Sequence, residues 1–409
     1  MAEVVPFHGM RYDERVAGPL SDLVSPPYDV ISDAQRDALH DRSPYNAVRV
    51  ELGRDEPGDD PVKNRYARAK HAIEAWLTKG ALRIDPTPAF YLHDHYFEVG
   101  GQRLRRRGFL GALRLYQEGR GIVRPHELTF PKAKTDRLRL LRRTRVNTSP
   151  VFAMFEDAKA EVANALEAWM VRGPARLVGD ARVGSDRHLV WALDERALTA
   201  KLAAMLTDKR VYIADGHHRY ETALAYLDEE RASKHLELDD DTVNYVLTYL
   251  CALEDPGLRI FATHRLVRGG AAALEAAIAA SFERAPIDRG ALGDTQPGIV
   301  LVHDGGFTEL RPRAEADLSS LPEAWRALPV AQAELLLEPA RKAGAEVTYE
   351  HDTEKAIDAA TGDTRTVLIR AVDPQTLRRV ADAWQRLPQK TTYFYPKVPA
   401  GLVFRPLGD

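Results

Sequence analysis

Two short stretches gather side chains able to do acid–base and charge chemistry. In Asp215-Gly216-His217-His218-Arg219-Tyr220, a carboxylate, two imidazoles and a guanidinium are nearly contiguous; in Arg124-Pro125-His126-Glu127, an imidazole and a carboxylate follow a proline-constrained turn. Ahead of the first stretch, Val211 to Ala214 reads as a short buried strand, which Asp215-Gly216 breaks with a helix-capping residue and a glycine tolerant of unusual dihedrals. A helix is expected next, because Tyr220, Ala223, Leu224 and Leu227 recur at the i, i+3, i+4, i+7 spacing of one face. His217, His218 and Arg219 then occupy a first turn, where the macrodipole is positive and the amides lack partners. Cations are unfavourable there unless an anion docks on the amides and the side chains close around it. Two other readings stay open: Arg219 pairing with a surface carboxylate, and Asp215 with the histidines as metal ligands, although adjacent histidines point in different directions. Glu127, whose carboxylate is placed by a rigid turn, is the leading candidate for chemistry there, with His126 beside it.

Asp215-Gly216-His217-His218-Arg219 resembles the DGHHR box of the ParB/sulfiredoxin superfamily, above all of its free-serine kinases. The His-Glu box that lies upstream in those proteins is matched by His126-Glu127, followed by a helical stretch from Thr135 to Arg145 and a strand-like Val151 to Phe155. One departure is the insertion of roughly residues 156 to 208 before the second box, which reads as a side elaboration. Over nearly its whole length the chain also resembles the family called domain of unknown function 1015, through Ser25-Pro26-Pro27-Tyr28-Asp29-Val30, the two boxes, and the segment from Leu387 to Lys397. The resemblance implies an α+β fold: a ParB/sulfiredoxin-like mixed α/β core with N-terminal and C-terminal α/β elaborations, divided near residues 1–115, 116–265 and 266–409. It further implies a nucleotide-dependent small-molecule phosphotransferase, with ATP or ADP as donor, Mg²⁺, and a hydroxyl acceptor such as free L-serine. Glu127 would activate the acceptor, Gly216, His217, His218, Arg219 and Lys390 would meet phosphate, and Asp215 would hold the metal or cap the helix. The alternative is a ParB-like nucleotide or nucleic-acid binder without kinase activity; a metal-dependent hydrolase is a further reading. Sulfiredoxin chemistry is excluded, because it needs a cysteine where His217 stands.

Bulk properties bound these readings. Among 409 residues, 44% are hydrophobic and 29% charged, ample for a core and against global disorder. The N-terminus lacks a basic, apolar leader pattern and no apolar run approaches membrane-spanning length, so a cytoplasmic protein off the membrane is expected. A single cysteine, Cys251, fits a reducing compartment and a buried position. Net charge is −3, yet residues 103–145 carry fourteen Lys or Arg against three acidic residues, so an anionic partner is considered there; the ordinary reading is a solvated helix face bearing Arg139, Arg142, Arg143 and Arg145.

The positioning elements follow from periodicity. Ser32-Asp33 starts a helix through Leu39, Val48 and Val50 alternate as in a strand, and residues 61–79 form an amphipathic helix ending at Lys79-Gly80. Residues 89–99 and 102–115 around Gly100-Gly101 make a hairpin, with His93 and His95 on one face. Their spacing suits metal, but without a third ligand nearby a polar solvent face is favoured. Val243 to Leu250 is a buried strand or helix, Asp239 to Asp241 a solvated helix start, and the region beyond 266 alternates helices and strands. The sequence leaves oligomeric state open.

Overall fold

The computed structural model describes residues 2–408 except 118–120, 126, 128–130, 172, 234–241, 293–297, 315, 320 and 389, with the backbone but not the side chains of 131–133 and 324. The chain is a mixed α/β protein in two compact units: residues 1–125, 129–258 and 396–409 form the first, residues 126–128 and 259–395 the second.

Among the described residues the first unit is built on a nine-stranded sheet: β1 (Val4–Val5), β2 (Phe90–Val99), β3 (Gln102–Arg114), β4 (Val123–Arg124), β5 (Val151–Phe155), β6 (Arg176–Val183), β7 (Asp186–Leu193), β8 (Val211–Asp215) and β9 (Tyr245–Ala252). The order is β4-β8-β5-β9-β3-β2-β7-β6, with β1 pairing on β3. β8 runs parallel to β4 and β9 parallel to β5; the other neighbours are antiparallel. The β2–β3 hairpin forms as expected, because Gly100 and Gly101 both take the positive φ that a tight two-residue turn requires between Val99 and Gln102. The unit also contains α1 (Asp33–Arg42), α2 (Val48–Glu51), α3 (Arg65–Thr78), α4 (Pro131–Thr144), α5 (Glu161–Val171), α6 (Arg196–Leu206) and α7 (His217–Ser233). Phe90, Leu92, Phe109, Val151, Phe155 and Ile213 from the strands pack in one core with Leu166 of α5, Leu202 of α6 and Tyr220 and Leu227 of α7.

Several expectations change in the folded chain. Val48 and Val50 lie on a helical turn, not a strand: the Asn46 side chain accepts the Val48 amide at 2.9 Å and itself donates to the Asp22 carbonyl, so tertiary bonds override the β-branched pattern. The 156–208 insertion adds strands β7 and β6 at one edge of the main sheet, where β7 pairs with β2. Of Val243 to Leu250, Val243 and Asn244 lie in a 3-10 turn and Tyr245 to Leu250 in strand β9, held between β3 and β5. Because β3 pairs with β9, residues 1–115 and 116–258 share one sheet instead of dividing near residue 115. Asp239 to Asp241 lie outside the described residues.

The second unit holds a six-stranded sheet of β10 (His264–Arg268), β11 (Phe282–Pro286), β12 (Ile299–His303), β13 (Gly306–Pro312), β14 (Glu346–Glu350) and β15 (Thr364–Ile369), ordered β11-β13-β12-β15-β10-β14 among the described residues. Val300, Val302, Ala356 and Leu368 centre a core there. In the same unit Arg259–Ala262 pairs with Thr392–Tyr395, and Glu127 forms a parallel bridge with Leu387.

Candidate functional site

Strand β8 ends and α7 begins where the sequence pattern indicates, and the turn between them carries the chemistry. The β8–β5 register slips between Ile213 and Asp215, a local irregularity that re-aims the Asp215 side chain. Gly216 then takes a φ of +83°; a Cβ there would lie 2.9 Å from Nε of Arg219. Glycine is thus required twice, for its conformation and for the approach of the arginine.

Both Asp215 oxygens are held by cations. Lys397 Nζ donates to Oδ1 at 2.5 Å and Arg219 Nη2 to Oδ2 at 2.8 Å, while Arg219 Nη1 also donates to the Pro150 carbonyl. Burial alone would raise the Asp215 carboxyl, but Lys397 and Arg219 overcome it and hold the group well below the usual carboxylate range. For Arg219, burial works against the charge, yet Asp215, Asp29, Tyr28 and Glu51 together raise its pKa. Arg219 Nε has no hydrogen-bond partner among the described residues. A metal ion on Asp215 would have to displace Lys397 or Arg219.

A second carboxylate, fully buried, supports this group. Glu51, 1% exposed, accepts hydrogen bonds from Thr148 Oγ1 at 2.5 Å and Ser149 Oγ at 2.7 Å, and Arg137 Nη1 donates to its backbone carbonyl at 2.8 Å. The Arg137 guanidinium lies 4.0 Å from the centre of the Tyr28 ring, and Arg137 and Arg219 line one small pocket with Ser149 and Thr222. Burial, then Asp29, push the Tyr28 phenol up, so it stays neutral and able to donate.

The predicted residues divide between the units. Asp215, Gly216, His217, His218 and Arg219 sit together in the first, His217 buried and His218 half-buried. Glu127 and Lys390 belong to the second, where the Lys390 amide donates to Glu127 Oε1 at 3.0 Å and Arg265 Nη1 donates to the Lys390 carbonyl at 3.0 Å. The Lys390 side chain is exposed. His126 lies outside the described residues. Sequence reasoning missed Glu51, Arg137 and the pairing role of Lys397. Glu51 was hidden by the strand reading of its segment, and Arg137 by a charge-rich helix in which only its position beside the apolar face marks it as inward. Several cations of the basic stretch are paired within their own unit: Arg107 with Asp94 at 2.7 Å, Arg114 with Glu3 at 3.0 Å, Arg145 with Glu230 at 3.4 Å, and Arg142 with Glu229.

Residues 4–331 match the family described as Protein of unknown function (DUF1015). The chain belongs to this family. No curated protein matches this DUF1015 chain. Similar solved structures include a free serine kinase mutant in complex with ADP, at 12% identity and a TM-score of 0.37 over 67% of this chain and 84% of that one. A conserved hypothetical protein from Pyrococcus furiosus matches at 12% identity and 0.36, over 68% and 90% of the two chains. SbnI with C-terminal truncation from Staphylococcus aureus matches at 10% identity and 0.40, over 71% and 84%. Among the described residues of this DUF1015 chain, no helix is long and apolar enough to cross a membrane.

Proposed function

We infer that this chain is a nucleotide-dependent small-molecule phosphotransferase whose anion cradle is the turn before α7. One observation carries the reading: Arg219 and Lys397 close on the same half-buried carboxylate, Asp215, at the start of a 17-residue helix. The first turn of a helix has amides without intrahelical partners, and a phosphate arriving there competes with Asp215 for both cations. Asp215 then acts as a stand-in anion that keeps the two half-buried cations paired until phosphate takes them. Phosphoryl transfer depends chiefly on positioning and charge stabilisation, which two cations held over an amide-rich turn are suited to supply.

The resemblance of His126-Glu127 to the His-Glu box of free-serine kinases supports Glu127 as the base toward a hydroxyl acceptor, with L-serine the first compound to test. Its carboxylate is oriented by the Lys390 amide and its backbone by the bridge to Leu387, which supports a fixed role over a freely rotating one. ATP and ADP are the donors to compare. Mg²⁺ prefers one or two carboxylates together with phosphate oxygens. Asp29, exposed and among the charges that raise the Arg219 pKa, is a fitting hard-oxygen donor; Asp215 becomes one only on releasing a cation.

The test is phosphorus NMR of the full chain with Mg²⁺, ATP or ADP, and a panel of hydroxyl compounds led by L-serine, beside Glu127→Gln and Arg219→Gln. A new phosphomonoester signal is expected with the wild-type chain, absent with Glu127→Gln while nucleotide still binds, and Arg219→Gln should weaken nucleotide binding itself. If neither nucleotide is consumed and neither perturbs the protein, the phosphotransferase reading fails.

A further inference from the structure

Away from the Asp215 cradle, the first unit contains a second chemical cluster that the phosphotransferase reading does not use. β7 and β2 pair antiparallel with His188 opposite His95. Because side chains alternate along a strand, His93, two residues from His95, and Asp186, two residues from His188, lie on the same face of the sheet. The sequence offered His93 and His95 as a solvent-facing pair; the register supplies the missing ligands and burial removes the solvent. His93 and His95 are wholly buried and His188 is 3% exposed.

The contacts are close. His95 Nε2 lies 2.9 Å from Asp186 Oδ2, His93 Nε2 lies 3.1 Å from His188 Nδ1, and the His95 and His188 ring centroids are 3.9 Å apart. One ligand atom each from His95, Asp186 and His188 falls within 4.8 Å of the others. His93 Nδ1 has no hydrogen-bond partner among the described residues. Three buried imidazoles against one carboxylate, with a ring nitrogen unpartnered, are a costly set of polar groups to retain in a core.

We propose that His95, His188 and Asp186 form a binding site for a divalent first-row transition ion, with His93 orienting His188 from behind. Two imidazoles and one carboxylate suit zinc or iron(II), whereas Mg²⁺ and Ca²⁺ favour all-oxygen sets. Zinc–ligand bonds of about 2.0–2.1 Å in a tetrahedral site separate the ligand atoms by roughly 3.3 Å, so side chains whose ligand atoms lie within 4.8 Å of one another must draw together to accept the ion. His188 Nδ1 faces His93, which leaves its Nε2 for the metal and lets Nδ1–H donate to His93 Nε2, the outer-partner arrangement common at metal histidines. Metal ligation needs neutral imidazoles; burial first, then neighbouring charges, lower all three histidines well below their ordinary pKa.

Arg106 opposes the ion. Its Nη2 lies 3.4 Å from His95 Nδ1, and the guanidinium also stands 4.9 Å from the Phe152 ring centre and 5.4 Å from that of Tyr249. Ligation through Nε2 moves the His95 proton to Nδ1, so Arg106 must withdraw from His95 and keep its aromatic contacts. Removing its charge should therefore tighten the site.

The experiment is titration of the chelator-treated full chain with Co²⁺ and Zn²⁺, read by visible Co²⁺ ligand-field bands, native mass spectrometry and thermal stabilisation. One equivalent is expected, with affinity lowered about tenfold or more by His188→Gln or Asp186→Asn, unchanged by His8→Gln, and raised by Arg106→Met. A folded wild-type chain that takes up no stoichiometric ion overturns the proposal, as does binding unaffected by His188→Gln. Should the ligand variants fail to fold, the wild-type titration and Arg106→Met still decide: unchanged or weaker Co²⁺ binding by folded Arg106→Met counts against the site.

Discussion

Lys397→Met is the most informative single change at the cradle. It removes one of the two cations that hold Asp215, keeps a similar apolar stem, and leaves Arg219 in place at 2.8 Å. Breaking a buried ion pair from one side costs about 3–5 kcal/mol; with Arg219 still present, about 2–3 kcal/mol is expected here. For domains of roughly 150–250 residues each kcal/mol moves the melting temperature by about 2–4 °C, so a fall of about 4–12 °C should follow. The pH dependence supplies the sharper test. The folded-state pKa of Asp215 lies below its unfolded value, so the stabilisation is fully present above about pH 4 and is lost as pH falls through the folded pKa. Each unit of that depression is worth about 1.4 kcal/mol. The gap between wild type and variant should accordingly be full at pH 7 and shrink only as pH falls below about 4 toward the folded pKa, measured by urea unfolding at a series of pH values. A variant as stable as wild type at pH 7, or a gap that persists undiminished in acid, would refute the argument that the Lys397–Asp215 charge pair is what matters.

Other changes test the neighbouring parts. Glu51→Gln takes a charge from Arg137 and disturbs the Thr148 and Ser149 hydrogen bonds, so a loss of about 2–3 kcal/mol in urea unfolding is expected. Gly216→Ala forces a side chain into a φ of +83° against Arg219; a cost of about 1–2 kcal/mol and weaker nucleotide binding by calorimetry should follow. His264, in the second unit, is lowered to about 4 by burial first and then by Arg265. The unfolded chain therefore takes the proton first, and about 3 kcal/mol of stability, complete above about pH 6.5, should disappear between there and about pH 4. His264→Gln should flatten that slope in hydrogen exchange of the second unit, and the His264 ring resonances should not titrate above about pH 5.

Much of the framework is legible locally. Apolar residues from Val211 to Ala214, the Asp215-Gly216 break and the spacing of Tyr220, Ala223, Leu224 and Leu227 specify strand, turn and helix, because each signal lies within a few residues of the structure it sets. Ser32 at the start of α1 is the same kind of signal: its side chain and that of Gln35 cap each other's backbone amides. The double-glycine hairpin belongs with them. Val48 and Val50 show where local reading stops, since a pattern of two valines fits a strand until Asn46 is tied to a distant carbonyl.

What the tertiary structure alone decided is which side chains meet. Lys397 reaches Asp215 across 182 residues and Arg137 reaches Glu51 across 86, and nothing in either neighbourhood names the partner. His188 stands opposite His95 only because β7 pairs with β2 in that register; a shift by one residue would turn His188 to the other face. The sequence by itself determined most of the elements near the site and the charged turn, whose causes are short-range dihedral preferences, caps and hydrophobic period. The pairing of buried charges was decided by strand order and register, which minimise the free energy of the whole sheet and leave no signature in any single stretch of chain.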